Sequence, residues 1–185
     1  MPLDKKDFEM IIPTETFLNL YEEFCQEITD APQVYHEAVG LATAAVVLGN
    51  NVSFPFGDLQ IFPNLWLNVL GDSSVTRKTT SINISKRLIS EAAPERILPN
   101  EFSTEKLEAE LAEKPAGTFY FGEFATLMGI LDSDYNAGAK ALLTDLFDSP
   151  ALYPRITLKG EIKIENAAIS IISATTLSWF TNKLQ

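Results

Sequence analysis

The chain has 185 residues, 46% of them hydrophobic, with 25 Asp and Glu against 14 Lys and Arg and a formal net charge of −11. That is enough apolar material for one sizeable core, and the acidic balance argues against a broad nucleic-acid surface on this chain alone while leaving room for one local basic element. The single cysteine, Cys25, excludes an intrachain disulfide, and with His36 as the sole histidine there are too few ligands for an ordinary zinc site.

Residues 1–12 read as a lead-in. Their charges, Asp4, Lys5, Lys6 and Asp7, are not those of a signal peptide, so a cytoplasmic protein is expected. Thr14 or Thr16 can cap a helix running to about Asp30, with Phe17, Leu20, Tyr21, Phe24 and Ile28 at helical spacing and Cys25 as a buried, inert thiol. Asp30-Ala31-Pro32 breaks it. A second helix, from about Val34 to Leu48, carries His36, to which no role is assigned, and stops at Gly49-Asn50-Asn51. It is apolar almost all round, which predicts burial; its apolar stretch is too short to cross a bilayer. Residues 1–51 are expected to form an N-terminal helical segment and 52–185 the main core.

Residues 52–63 read as an extended linker with a short strand near Gln60. Asn64 to Leu70 is a buried strand, followed by a small polar loop and a helix from Arg77 to about Glu91. Ile97-Leu98 suggests a short second strand. Ser103 caps a helix to Glu113, aided by Glu105 in its first turn, and Lys114 to Gly117 stops it. Thr118 to Phe121 is a buried strand that ends at Gly122-Glu123. Helices over 124–131 and 139–147 flank the turn-rich Asp132 to Asn136. Arg155 to Glu165 alternates as a hairpin: Ile156, Leu158, Ile162 and Ile164 on one side, and a three-residue turn, Lys159-Gly160-Glu161, setting Arg155 opposite Glu165. Ala167 to Ser173 is another buried strand, and a short helix with Trp179 and Phe180 follows. Strands separated by helices favour an α/β fold, a mostly parallel sheet covered on both faces.

Within that order, strand 64–70, Gly71, the polar loop and Lys78-Thr79-Thr80 form the strand–loop–helix layout of a phosphate-binding P-loop. Backbone N–H groups at a helix start offer unpaired donors and a favourable dipole end, and a tight loop lets several converge on one phosphate. The candidate nucleotide-binding residues are Gly71, Ser73, Ser74, Thr76, Arg77, Lys78, Thr79 and Thr80. Lys78 would reach the β- and γ-phosphates of ATP, the Thr79 hydroxyl would hold Mg²⁺, and Thr80 would support the loop. The fit to G-x-x-x-x-G-K-[ST] is imperfect: Asp72 and Arg77 occupy the glycine positions, Gly71 lies one residue early, and Arg77 is expected in the helical conformation. An ordinary polar turn has little reason to put a lysine in a first helical turn, where it opposes the dipole.

Glu123, at the end of strand 118–121, is the candidate to orient water or to assist Mg²⁺. Thr175 or Thr176, after the strand 167–173, could sense the γ-phosphate, with a plain helix cap as the alternative. The Arg155–Lys163 hairpin could touch DNA or a neighbouring subunit, or be a solvated face.

Several stretches together resemble one family: Phe62-Pro63-Asn64-Leu65-Trp66 leading into Gly71-Asp72-Ser73-Ser74 and Arg77-Lys78-Thr79-Thr80; Phe121-Gly122-Glu123-Phe124; Leu146-Phe147-Asp148 before Arg155; Lys159-Gly160-Glu161; and Ala174-Thr175-Thr176 with Trp179-Phe180. It is an incompletely characterised family of P-loop ATPases related to the helicase part of primase–helicase proteins of phages, plasmids and other mobile elements. The resemblance spans roughly residues 14–185. It implies ATP binding and hydrolysis coupled to DNA replication or unwinding by ring-forming subunits, a homo-oligomer in full-length form. Lys78 and Thr79 match the nucleotide motif, Glu123 the acidic position and Thr175 the later polar residue, while Gly122 stands where the family usually has Asp. Family members continue past the point where this sequence stops, so a truncated core with weak hydrolysis is expected. The alternative is a P-loop-derived interaction module whose nucleotide site has decayed at Asp72, Arg77 and Gly122.

Overall fold

A computed structural model of the chain describes residues 15–57, 59–72, 76–157 and 160–183. Helix α1 spans Phe17–Ile28. Its start is set by a reciprocal cap, in which the Asn19 N–H donates to Thr16 Oγ1 and the Thr16 N–H donates to Asn19 Oδ1. Tyr21 and Cys25 point into the core. Helix α2 spans Gln33–Leu48 and begins directly after Pro32. It is less enclosed than its composition predicts: Val39, Ala42 and Val46 are buried, whereas Val34, Leu41, Val47 and Leu48 are exposed. Packing against α1, the sheet and a later helix covers part of its circumference, and the remaining apolar residues stay open.

Strands β1 (Phe54–Phe56) and β2 (Leu59–Ile61) form a small antiparallel hairpin with every residue exposed. The expected linker therefore holds two strands rather than one. Strand β3 spans Trp66–Leu70 and leads through the loop to α3, Lys78–Ala92. Helix α4 (Thr104–Glu113) starts where Ser103 accepts the Lys106 N–H, as the sequence indicates. Strand β4 is Ala116–Phe121 and is buried along its whole length. Helices α5 (Phe124–Leu131) and α6 (Ala139–Phe147) follow, then strands β5 (Leu152–Thr157), β6 (Gly160–Glu165) and β7 (Ala168–Thr175), and helix α7 (Leu177–Lys183).

The fold is mixed α/β around a small parallel sheet of order β3-β7-β4. The last strand in sequence is the central one. Leu70 pairs with Thr175, Asn68 with Ser173, and Phe121 with Ser173, so the loop after β3 and the turn after β4 leave the same carboxyl edge. Ile97 adds one parallel bridge to Thr118 on the outer side of β4, in place of a second full strand. The expectation of a buried β3 is corrected: only Val69 is buried, because β3 is the sheet's edge.

Alternation along the strands divides the core in two. Val69, Tyr120, Ile172 and Ala174 face α1, α2 and α3, where Tyr21, Val39, Ile82 and Ile89 meet them. Phe119, Phe121, Ile169 and Ile171 face the other way, onto Leu107, Leu111, Leu127, Leu142 and Leu146 of α4, α5 and α6 and Ile164 of β6. A chain of hydroxyls crosses the first layer: Thr43 Oγ1 lies 2.7 Å from Ser85 Oγ, which lies 2.8 Å from the Tyr120 hydroxyl. Helices α1 and α2 thus share the core of the sheet rather than standing apart from it.

The β5–β6 hairpin departs from its expected register. Arg155 pairs with Ile162, not Glu165, and Thr157 pairs with Gly160; Leu158 and Lys159 lie outside the described residues. Tyr153, Arg155, Ile162 and Ile164 turn inward, and Ile156 is 87% exposed. A one-residue change in the hairpin connection exchanges the two faces of a strand. The guanidinium of Arg155 is thereby delivered to Glu108 of α4, whose side chain is wholly buried.

Candidate functional site

The candidate site is built where β3 hands over to α3. Gly71 ends the strand with its N–H donated to the Thr175 carbonyl at 3.3 Å. A Cβ at this position would run into the Tyr35 hydroxyl and Thr76 Oγ1, so only glycine lets the chain pass between them. The Tyr35 hydroxyl donates to the Leu70 carbonyl at 2.6 Å and fixes the end of the strand from α2. Two side chains return to the Asp72 carbonyl: Thr76 Oγ1 donates to it at 3.0 Å, and Lys78 Nζ donates to the same oxygen at 3.0 Å. Ser73 and Ser74, named from the sequence, lie outside the described residues.

Arg77 is corrected from its expected helical conformation. It has φ 53° and ψ 28°, the left-handed region, and occupies the N-cap position of α3 without a side-chain cap bond. This is the backbone geometry for which glycine is usually chosen, and a non-glycine residue there carries strain of about 1 kcal/mol. The Arg77 side chain turns to Asp30, with Nε 3.2 Å from Oδ1. It neither points freely to solvent nor into the loop. Asp30, read in the sequence only as part of a helix breaker, is what holds it.

Lys78 is the first residue of α3 and is only 8% exposed. Its ammonium meets a neutral carbonyl and, among the described residues, no carboxylate within ion-pair distance. Thr79 and Thr80 follow in the first turn, both exposed. The N–H groups of this turn have no carbonyl four residues back inside the helix. Cation, open amide donors and positive dipole end therefore gather at one place, a combination that attracts an anion.

The other candidates converge from the neighbouring strands. Gly122 follows β4 directly, and a Cβ built on it would sit 3.6 Å from Thr79 Cγ2, an ordinary contact. The end of β4 and the first turn of α3 are thus adjacent. Glu123, exposed, is the N-cap of α5 without a side-chain cap bond, so its carboxylate is not used up by its own helix. Thr175 lies within β7 rather than after it; it is 1% exposed and level with Leu70. Thr176 takes the helix-cap role, its Oγ1 accepting the Trp179 N–H at 3.3 Å.

Among the described residues no cluster of three or more His, Cys, Asp or Glu could hold a metal by itself, and no helix is long and apolar enough to cross a membrane. Sequence reasoning missed Tyr35, which had no local signal. No protein-family model, no curated protein and no solved structure matches the chain.

Proposed function

We propose that this chain is an ATP- and Mg²⁺-binding P-loop domain of the kind found in replication-type helicases and primase–helicases. The observation that carries the reading is Lys78: a nearly buried ammonium at a helix start, held by the Asp72 carbonyl and, among the described residues, without a carboxylate partner. Support also comes from the left-handed residue just before it and from the sheet order, which brings Gly71, Glu123 and Thr175 to one carboxyl edge. In open α/β sheets that edge is where ligands bind.

In this reading Lys78 stabilises charge on the β- and γ-phosphates, and the Glu123 carboxylate orients water for in-line attack on the γ-phosphorus and accepts its proton as the bond to the ADP leaving group breaks. Thr175 senses the γ-phosphate. Thr79, with Glu123 near it, would hold Mg²⁺, whose contribution is to neutralise phosphate charge. The adjacency of Gly122 to Thr79 fits that role, although Gly122 supplies no carboxylate. Contact with DNA falls to the hairpin's outward face, where Lys163 already lies 3.2 Å from Glu161; Arg155 is committed to Glu108.

A second reading, an interaction module with a retired nucleotide site, draws on the Arg77–Asp30 pair, which spends a loop cation on the protein itself. Calorimetric titration with MgATP separates the two. Binding by the wild type and at least tenfold weaker binding by Lys78→Ala are expected. Equal affinities of the two proteins would remove the catalytic reading, and no binding by the wild type would favour the module.

A further inference from the structure

Two contacts tie the α1–α2 helix pair to the connection between β3 and α3, one at each end of it. At Leu70, the last residue of β3, the backbone carbonyl accepts the Tyr35 hydroxyl of α2 at 2.6 Å. At Arg77, the N-cap of α3, the guanidinium Nε donates to Asp30 Oδ1 at 3.2 Å. Asp30 lies in the connector between α1, which ends at Ile28, and α2, which begins at Gln33. The Tyr35 contact is neutral and short. The Asp30 contact is ionic and open to water, with the Arg77 and Asp30 side chains 52% and 79% exposed.

The left-handed backbone of Arg77 is strained for any residue but glycine. An arginine there needs a reason beyond backbone geometry, and Asp30 alone is a weak one. An exposed ion pair is worth little, because water competes for both partners and ordering two long side chains costs entropy. A guanidinium that meets a phosphate forms charge-assisted, often bidentate bonds, roughly twice as strong as neutral ones. Arg77 directly precedes Lys78, so an anion held at the start of α3 competes with Asp30 for the same guanidinium, and the phosphate is the stronger competitor. We propose that Asp30 is a positioning residue for Arg77: it holds the guanidinium beside the loop until nucleotide binds, and then yields it to a phosphate oxygen. This rests on the nucleotide reading and adds a regulatory contact to it. Binding breaks the Arg77–Asp30 pair, while Tyr35 keeps the other end of the connection fixed. Nucleotide occupancy is thereby coupled to the α1–α2 connector, and by reciprocity whatever neutralises Asp30 tightens the nucleotide.

The test is a double-mutant cycle read by calorimetric titration with MgATP at about 0.15 M salt, where charges more than about 8 Å apart are largely screened. Asp30→Asn should bind about fivefold more tightly than the wild type, the worth of the exposed pair it removes. In an Arg77→Met background the same change should alter affinity by less than about twofold. Asp30→Glu, which restores the charge, should return to the wild-type affinity. Both side chains are exposed, so these variants leave the core untouched. A gain in Asp30→Asn that persists beside Arg77→Met would be simple loss of repulsion and would overturn the proposal. If Lys78→Ala weakens MgATP while Asp30→Asn changes nothing, the nucleotide site stands and the role of Asp30 falls. Binding by Asp30→Asn where the wild type binds none would support the exchange; binding by neither would overturn both readings.

Discussion

Lys78, at the start of α3, and Arg155, on the β5–β6 hairpin, are both cations that a sequence reader would offer to a phosphate, and the fold treats them in opposite ways. Lys78 is nearly buried and faces a carbonyl. Arg155 remains about a third exposed yet is matched to a carboxylate, Glu108, that is wholly enclosed. The hairpin's charge is neutralised within the protein and holds β5 to α4. The charge of Lys78 has no carboxylate partner among the described residues. The two cations are thus told apart by their partners, a carbonyl for Lys78 and a carboxylate for Arg155, more than by their exposure.

The largest effect expected from breaking this contrast is at the hairpin. Arg155→Ala strands Glu108 without its counter-charge, and breaking a buried pair costs about 3 kcal/mol, the low end of the usual range because Arg155 is partly in water. Urea denaturation should register that loss, with MgATP affinity unchanged relative to the surviving folded fraction. A loss below about 1 kcal/mol would mean the pair behaves as a surface ion pair.

Two glycines sharpen the same comparison at the loop. Gly71→Ala forces a methyl against Tyr35 and Thr76, and overpacking of this kind costs about 2 kcal/mol; it should also release the Tyr35 hydroxyl from the Leu70 carbonyl, measurable as a lower Tm. Gly122 is the opposite case, because a Cβ there makes only a normal contact with Thr79. Gly122→Asp should fold normally and, if the nucleotide reading holds, tighten Mg²⁺-dependent ATP binding by about tenfold, or about 1.4 kcal/mol. A Mg²⁺ titration at fixed ATP that gives the same curve for both proteins would count against a metal site at Thr79.

The smallest effect belongs to a region away from both cations. His36 is buried in α2, with the Ala31 backbone and Glu22 as the polar groups acting on its ring. Burial pushes its pKa below the ordinary 6.5, with Glu22 opposing the shift. The unfolded chain then binds the proton more readily than the folded one. The His36 contribution to stability is complete above pH 6.5 and is lost as pH falls below that value through the lowered folded-state pKa. Thermal melts of wild type and His36→Gln across this range should converge as the pH drops; parallel curves would show that His36 is not buried in its neutral form.

Much of the element order was legible because it rests on local chemistry. Thr16 and Ser103 are caps, Pro32 and Pro115 are stops, and the apolar runs read as strands at 118–121 and 167–173 coincide with most of β4 and β7, which are buried along their length. The order of strand, polar loop and helix from Trp66 to Lys78 is local in the same way, an apolar run ended by Gly71 and a helical pattern that starts at Lys78. Strand order is different in kind. That β7 lies between β3 and β4, that β3 is an edge, and that Arg155 turns inward to Glu108 are pairings between residues dozens of positions apart. No local preference encodes them. They are selected by which arrangement encloses the most apolar surface while leaving the fewest charges and amides unmatched, and that is a sum over the whole folded chain. The amino-acid order settled where most helices and strands begin and which lysine heads α3; only the assembled tertiary structure decided that this lysine would meet the Asp72 carbonyl and that Arg155 would find a carboxylate.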